Sequence, residues 1–208
     1  YNVLRSLAAL EEPPPNLRTL YAASNKLASC HGVQFLPQLR SLDLGHNRLR
    51  EVNEVGSLQA LTELWLGKNK LTAVPTLNLP HLKKLSLQSN RLTAVGDGLK
   101  GCPELEELYL SHNGIEHVAG LGALKALVIL DLSNNRLEAL DGLEGLAALE
   151  DVWVNDNRLA SLDGVLQGLR DQAATLETLY LEHNPCAQAT GIEATLLQAL
   201  PKLKQFNA

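Results

Sequence analysis

The chain has 208 residues, 45% hydrophobic content and a net charge of −5, enough for one continuous core and only mildly acidic. No Lys/Arg-rich run is present, which argues against a nucleic-acid footprint, and the longest apolar stretches fall well short of the roughly 18 residues that span a membrane. Tyr1–Glu12 lacks a charged region followed by an apolar core, so no signal peptide is expected, and the complete lack of Met reads as a fragment or processed product.

In chain order, residues 1–16 form a lead-in. Val3, Leu7 and Leu10 are spaced for a short amphipathic helix, followed by the stiff Pro13-Pro14-Pro15. This is either a cap or the remnant of an earlier repeat. From Leu17 to Cys186 the pattern Leu-x-x-Leu-x-Leu-x-x-Asn-x-Leu recurs. Copies begin at Leu17, Leu39, Leu61, Leu82, Leu105, Leu127, Leu149 and Leu176, with asparagines at Asn25, Asn47, Asn69, Asn90, Asn113, Asn135, Asn157 and Asn184. The steps are 22, 22, 21, 23, 22, 22 and 27 residues. A period of about 20–29 with this consensus marks a leucine-rich repeat. The fold class expected is α/β: a solenoid with a curved parallel β-sheet on its concave face and short 3₁₀ or helical segments on its convex face.

Within each copy, Leu64 and Leu66 alternate with Glu63 and Trp65, the period of two that marks a half-buried strand. The leucines face inward, the others outward. The asparagine ends the strand; its amide both donates and accepts, so a stack of them satisfies turn backbone. The return arm keeps regular apolar positions, as in Leu137, Leu140, Leu143, Leu146 and Leu149, punctuated by Gly and Pro that favour short 3₁₀ pieces. The last step is five residues longer, which predicts a longer convex helix or bulging loop near Gly168–Ala174. Residues 187–208 read as a C-terminal helical cap: Ile192, Leu196, Leu197 and Leu200 at helical spacing, Pro201 as the stop, Leu203 and Phe206 closing the end.

Cys30, Cys102 and Cys186 each replace an aliphatic of the repeat, where a free Cys behaves as a small hydrophobe. No disulfide-stapled cap is legible. These features suggest a reducing compartment. No CxxC or His/Cys pairing is present, so no metal site is expected, and no cofactor.

The residues free to vary are those facing out. The fifth motif position reads Tyr21, Asp43, Trp65, Ser86, Tyr109, Asp131, Trp153, Tyr180. Five of the chain's eight Trp, Tyr and Phe residues lie on this one line. Exposed Trp and Tyr dominate protein-binding hot spots. Lateral packing across strands is the competing explanation, but a ladder that alternates rings with Asp is expected to be poor sheet glue. Charged neighbours add to the line: Glu63, Lys84, Glu107 and Asp151 at position three, and Lys68, His112, Asn155, Asp156, Glu182 and His183 at positions seven and eight. The second half of the face is acidic, with Glu107, Asp131, Asp151, Asp156 and Glu182 around Tyr109, Trp153 and Tyr180. That combination suggests a partner carrying Lys and Arg there. The expected protein-binding set is Tyr21, Asp43, Glu63, Trp65, Glu107, Tyr109, Asp131, Asp151, Trp153, Tyr180 and Glu182.

Catalysis finds little support. The carboxylates lie on an open strip, and no nucleophile–base pair or phosphate loop is legible. His46, His112 and His183 share a motif position but belong to repeats two, five and eight. The chain is not expected to be an enzyme.

Several stretches carry a more specific resemblance. They are Leu66-Gly67-Lys68-Asn69-Lys70, Gln88-Ser89-Asn90-Arg91-Leu92-Thr93, Leu108-Tyr109-Leu110-Ser111-His112-Asn113-Gly114-Ile115-Glu116, Trp153-Val154-Asn155-Asp156-Asn157, and Leu176–Pro185, with the ending Ala199–Gln205. Over about residues 17–207 the chain resembles the leucine-rich-repeat regulatory subunits of protein phosphatase 1, the sds-twenty-two type (regulatory subunit 7). The resemblance implies a concave face that holds the phosphatase catalytic subunit through Tyr21, Asp43, Trp65, Asp131, Asp151, Trp153 and Tyr180. It also implies a regulator of a mitotic phosphatase, found in nucleus and cytoplasm, and monomeric when free. Two departures stand out: the family usually has more N-terminal repeats, and Tyr21 and Trp65 stand where phenylalanine is common. Two alternatives are another adaptor with 22-residue repeats, of the axonemal dynein light chain or spliceosomal type, and a structural protein that self-associates through its N-terminal end.

Overall fold

The computed structural model describes residues 2–12, 14 and 16–207. Every copy of the motif places a three-residue strand at the same point: β1 Thr19–Tyr21, β2 Ser41–Asp43, β3 Glu63–Trp65, β4 Lys84–Ser86, β5 Glu107–Tyr109, β6 Ile129–Asp131, β7 Asp151–Trp153 and β8 Thr178–Tyr180. A ninth strand, β9 (Gln205–Asn207), follows in the tail. All pair in parallel, in sequence order. The register holds the fifth motif position opposite itself throughout, as Tyr21 to Asp43, Asp131 to Trp153, and Trp153 to Tyr180. This is the curved parallel solenoid expected.

The inward leucines form one unbroken core. Leu42, Leu64, Leu85, Leu108, Leu130 and Leu179 are fully buried, and so are their partners two residues on. The asparagines stitch the repeats. Asn135 Nδ2 donates to the carbonyls of Leu132 (2.9 Å) and, one repeat earlier, Leu110 (3.1 Å), while its Oδ1 accepts the Ile115 N–H at 3.0 Å. Asn47, Asn69, Asn157 and Asn184 repeat the arrangement. The eighth position, just before each asparagine, takes a left-handed backbone: Ser24, His46, Lys68, Ser89, His112, Asn134, Asp156 and His183 all have φ between 53° and 59°. The repeat therefore carries a strained turn that its leucine–asparagine consensus does not announce.

On the convex side the first two arms form 3₁₀ turns, Val33–Phe35 and Asn53–Ser57, whereas the arms of repeats three to six are turns and irregular backbone without a helical segment among the described residues. The extra residues of the last step form α1 (Leu162–Gly168), capped by Ser161 Oγ on the Gly164 N–H, and a 3₁₀ turn Arg170–Gln172. Gln172 is wholly buried and donates to the Leu143 and Leu146 carbonyls, which ties the longer arm to the repeat before it. Helix α2 (Ile192–Ala199) lies where the cap was expected, but Leu197, expected on its buried face, is 46% exposed. Leu203 and Phe206 close the end as expected, Phe206 as a residue of β9 that pairs with Leu179 and packs partly buried against the core. At the other end Val3 is 71% exposed, and the one helical piece among the described residues there is the 3₁₀ turn Ala8–Glu11. Leu7 alone of the expected helix face is fully packed, and residues 2–7 form no helix. Of the triple proline, Pro13 and Pro15 lie outside the described residues.

Candidate functional site

The outward side chains of β1–β8 form the concave face, and the fifth-position rings dominate it. Three of the four ring contacts expected to be poor glue are in fact made. Trp65 and Tyr109 stack with centroids 6.4 Å apart and planes 21° apart, although they sit two strands apart. Tyr109 and Trp153 approach to 6.3 Å across another intervening strand. Trp153 and Tyr180, on adjacent strands, stack at 6.0 Å. Upright rings two strands apart would stand about 9.6 Å apart. The rings close that gap by leaning over the small residues between them, and those residues are covered as a result: Ser86 is 1% exposed and Asp131 7%. Lateral packing therefore belongs to this ladder alongside any role in binding. The signal is in the sequence, a short side chain between two rings at the same motif position, and the ring contacts span it where poor packing was expected.

This geometry changes the expected acidic rim. Asp131 was assigned to partner contact, yet it is buried and its Oδ1 accepts the Ser133 N–H at 3.0 Å. It is a turn-forming group beneath the rings. Asp43 makes the equivalent bond to the Gly45 N–H at 2.8 Å but stays half-exposed. Glu107 is paired with Lys84 at 2.7 Å and accepts the Tyr109 hydroxyl at 2.8 Å. Burial alone would raise the Glu107 pKa; the hydrogen bonds from Lys84 and Tyr109 and the Lys84 charge outweigh it and hold the carboxyl below its ordinary value. Burial, and then the bond to Glu107, push the Tyr109 phenol upward. Glu63 accepts from Ser41 Oγ at 3.0 Å. Asp156 meets His183 Nδ1 at 3.0 Å and Asn155 Nδ2 at 2.9 Å, and Asn155 in turn accepts from Ser133 Oγ at 2.7 Å. Among the described residues, Asp151 and Glu182 make no ion pair. They are the unpaired carboxylates beside Trp153 and Tyr180.

Tyr21 stands apart from the ladder, 76% exposed. A hollow of about 300 Å³ lies beside Trp65, lined among others by Asp43, Gly45, His46, Gly67 and Lys68. Gln205 Nε2 donates to the Tyr180 hydroxyl at 2.6 Å, a contact not foreseen because it depends on β9. The Trp153 Nε1 is buried without an acceptor among the described residues. The cysteines sit in the core as expected. Burial, followed by a hydrogen bond to the Glu54 carboxylate at 3.0 Å, pushes the Cys30 thiol up to about 12. No group of three or more His, Cys, Asp or Glu able to hold a metal occurs among the described residues.

Two sequence families cover this same stretch. The Leucine rich repeat profile matches residues 59–115 and 80–137, and the Leucine Rich repeats (2 copies) profile matches residues 37–79 and 125–168. The chain belongs to the leucine-rich repeat proteins. It is 39% identical over 132 residues to the dynein axonemal assembly factor 11 of Trypanosoma brucei brucei, an alignment covering 62% of this chain and 33% of that protein. The chain thus spans about a third of this curated relative. Among solved structures it is similar to a leucine-rich repeat protein of Leptospira interrogans, with a TM-score of 0.80 and 31% identity over 92% of this chain and 49% of that one. It is also similar to internalin C2 of Listeria monocytogenes, with a TM-score of 0.76 and 27% identity over 91% and 79%.

Proposed function

We propose that this repeat domain is a non-catalytic protein-binding module that grips its partner with the concave face. The observation that carries the proposal is the continuous row of ring contacts Trp65–Tyr109–Trp153–Tyr180, two stacked pairs joined by a tilted one, with Tyr21 exposed outside it. A row of pre-stacked aromatics is a rigid surface whose side-chain entropy is largely lost already on folding, and so costs little to order on binding. The partner we propose is the catalytic subunit of protein phosphatase 1. Support comes from the likeness of the variable residues of Leu108–Glu116, Trp153–Asn157 and Leu176–Pro185 to its leucine-rich-repeat regulators, and from the carboxylates Asp151 and Glu182 beside the rings. In this reading the domain is a monomer when free, holds no cofactor and acts in nucleus and cytoplasm. It changes the phosphatase's activity, metal loading or partner choice by occupying its surface. Asp131 is withdrawn from the contact set, because it is covered by the rings of its own chain.

A second reading is an assembly adaptor for axonemal dynein. The 39% identity over 132 residues to a dynein axonemal assembly factor supports it. Calorimetric titration against the phosphatase catalytic subunit separates the two. The first reading expects binding at or below micromolar concentration, with Trp153→Ala weakening it by about 2 kcal/mol or more and the convex-side Glu144→Ala changing nothing measurable. No heat and no complex with a folded chain would sink the phosphatase reading, and binding to isolated axonemal dynein subunits would then favour the second.

A further inference from the structure

The position after each motif asparagine forms a second row, and this row is cationic. It holds Lys26, Arg48, Lys70 and Arg91 in the first four repeats, Gly114 in the fifth, and Arg136 and Arg158 in the sixth and seventh. A whole repeat separates each cation from the next, so no basic run shows in the sequence. The backbone brings them together. The Arg48 N–H donates to the Leu27 carbonyl at 2.8 Å, the Lys70 N–H to Leu49 at 2.9 Å and the Arg91 N–H to Leu71 at 2.8 Å, and each acceptor is the residue next to the preceding cation. Successive cations are therefore held about 4.8 Å apart, the spacing of hydrogen-bonded strands, and the first four span about 15 Å along one edge of the solenoid.

The two ends of the row have different surroundings. Arg136 is paired with Glu116 at 3.8 Å, and Glu138 and Asp156 flank the row in the same repeats. In repeats one to four the flanking positions hold Ser24, His46, Lys68 and Ser89 on one side and Ala28, Arg50, Thr72 and Thr93 on the other, without a carboxylate. Among the described residues, Lys26, Arg48, Lys70 and Arg91 make no ion pair. A hollow of about 390 Å³ opens along them, lined by Ser24, Lys26, His46, Arg48 and Lys70 among others, and no carboxylate of the described residues lines it. The whole chain divides the same way: residues 1–104 carry 12 Lys and Arg against 8 Asp and Glu, residues 105–208 carry 6 against 15. Like charges at this spacing repel and work against the fold, so an anionic occupant removes a cost that the chain itself leaves in place.

We propose that this edge docks a short Asp/Glu-rich segment of a protein partner, laid across Lys26, Arg48, Lys70 and Arg91. Carboxylates complement the row in charge, and Arg48 and Arg91 present forks that bind a carboxylate through two hydrogen bonds. A span of about 15 Å matches about five residues of extended peptide. Nucleic acid fits less well. No ring stands at the row or at its flanking positions in these repeats, whereas single strands are held by rings on which bases stack. A longer polyanion would also run onto the acidic second half. The row lies on the edge, apart from the rings of the concave face, so the proposal does not depend on which protein that face holds.

Fluorescein-labelled octaglutamate, titrated with the full chain at low salt and followed by fluorescence anisotropy, tests this. Saturable binding is expected. Arg48→Gln combined with Lys70→Gln should weaken it by about tenfold or more, while Arg136→Gln combined with Arg158→Gln, an equal loss of charge in the balanced part of the row, should change it by less than about twofold. Trp153→Ala should leave it unchanged. Far-ultraviolet dichroism confirms that each variant is folded. No binding by the native chain overturns the proposal, as does equal weakening by the two double variants, which would make net charge rather than place the cause. Loss of peptide binding in Trp153→Ala overturns it too, by moving the peptide to the concave face. An oligothymidylate of eight nucleotides that binds as tightly as the peptide would make the edge a nucleic-acid surface instead. A native chain that is dimeric by light scattering, and monomeric with Arg48→Gln and Lys70→Gln, would make a second copy the occupant and equally refute the proposal.

Discussion

Tyr109 sits at the centre of the ring ladder, and Tyr109→Ala separates what the rings do for folding from what they do for binding. The substitution removes two ring contacts, to Trp65 at 6.4 Å and to Trp153 at 6.3 Å. Aromatic pairs contribute about 0.5–1.5 kcal/mol each beyond buried area. It also removes the hydroxyl bond to Glu107, about 0.5–1.5 kcal/mol for a half-exposed pair, and uncovers Ser86 and Asp131. The expected cost is about 2–4 kcal/mol of stability. Tyr21→Ala makes the comparison: its ring is 76% exposed and outside the stack, so the cost should stay within about 0.5 kcal/mol. Urea unfolding followed by far-ultraviolet dichroism reads both. The lateral-stack argument fails if Tyr21→Ala destabilises as much as Tyr109→Ala, or if Tyr109→Ala costs less than about 0.5 kcal/mol.

Further outcomes follow from the same geometry. Asn135→Ala removes bonds to Leu110, Leu132 and Ile115 in a buried setting and should cost about 3–5 kcal/mol. The half-buried Asn25→Ala, at the end of the ladder, should cost about half as much by the same urea titration. Gly142→Ala places a methyl group against the Val118 carbonyl at φ 77° and should cost more than about 2 kcal/mol, whereas Gly56→Ala, with open space at its Cβ, should be neutral within about 0.5 kcal/mol; thermal melts compare them. Glu107 has a depressed folded pKa, so its pairing stabilises the fold above the ordinary carboxylate value of 4.5 and is lost as the pH falls through the lower folded value. Urea midpoints taken from pH 6 down to strong acid should show that loss in the native chain and a shallower fall in Glu107→Gln. Asp131→Ala should lower the melting temperature by freeing the Ser133 turn, and an effect on partner binding alone, with stability unchanged, would contradict its buried placement.

The solenoid was legible because its repeat encodes burial directly. Leu64, Leu66 and Asn69 each have one environment available, and the structure puts them there. The concave line was legible as a line, and its residues share one face as read. What sequence did not reveal is how far each side chain reaches. Asp131 and Trp153 are neighbours on one row, but a long ring tilts and a short carboxylate is covered, a result set by size difference and strand spacing rather than by polarity. The N-terminal end is legible only as a pair of alternatives. Val3, Leu7 and Leu10 fit helical spacing, yet the hydrogen bonds of Leu4 to Asn25 and Lys26 hold that stretch in repeat register, the second alternative. At the other end Phe206 closes the core as its apolar spacing implies, and only the strand pairing with Leu179 is invisible in the sequence.

The two tryptophans of the chain, Trp65 and Trp153, both lie on the proposed binding face. Labelling the chain with 5-fluorotryptophan therefore gives two fluorine resonances that report on that face alone. Titrated with unlabelled phosphatase catalytic subunit, both resonances should shift or broaden together, at the stoichiometry of the complex. A complex detected by its mass with both resonances unmoved would place the partner elsewhere and contradict the concave-face account.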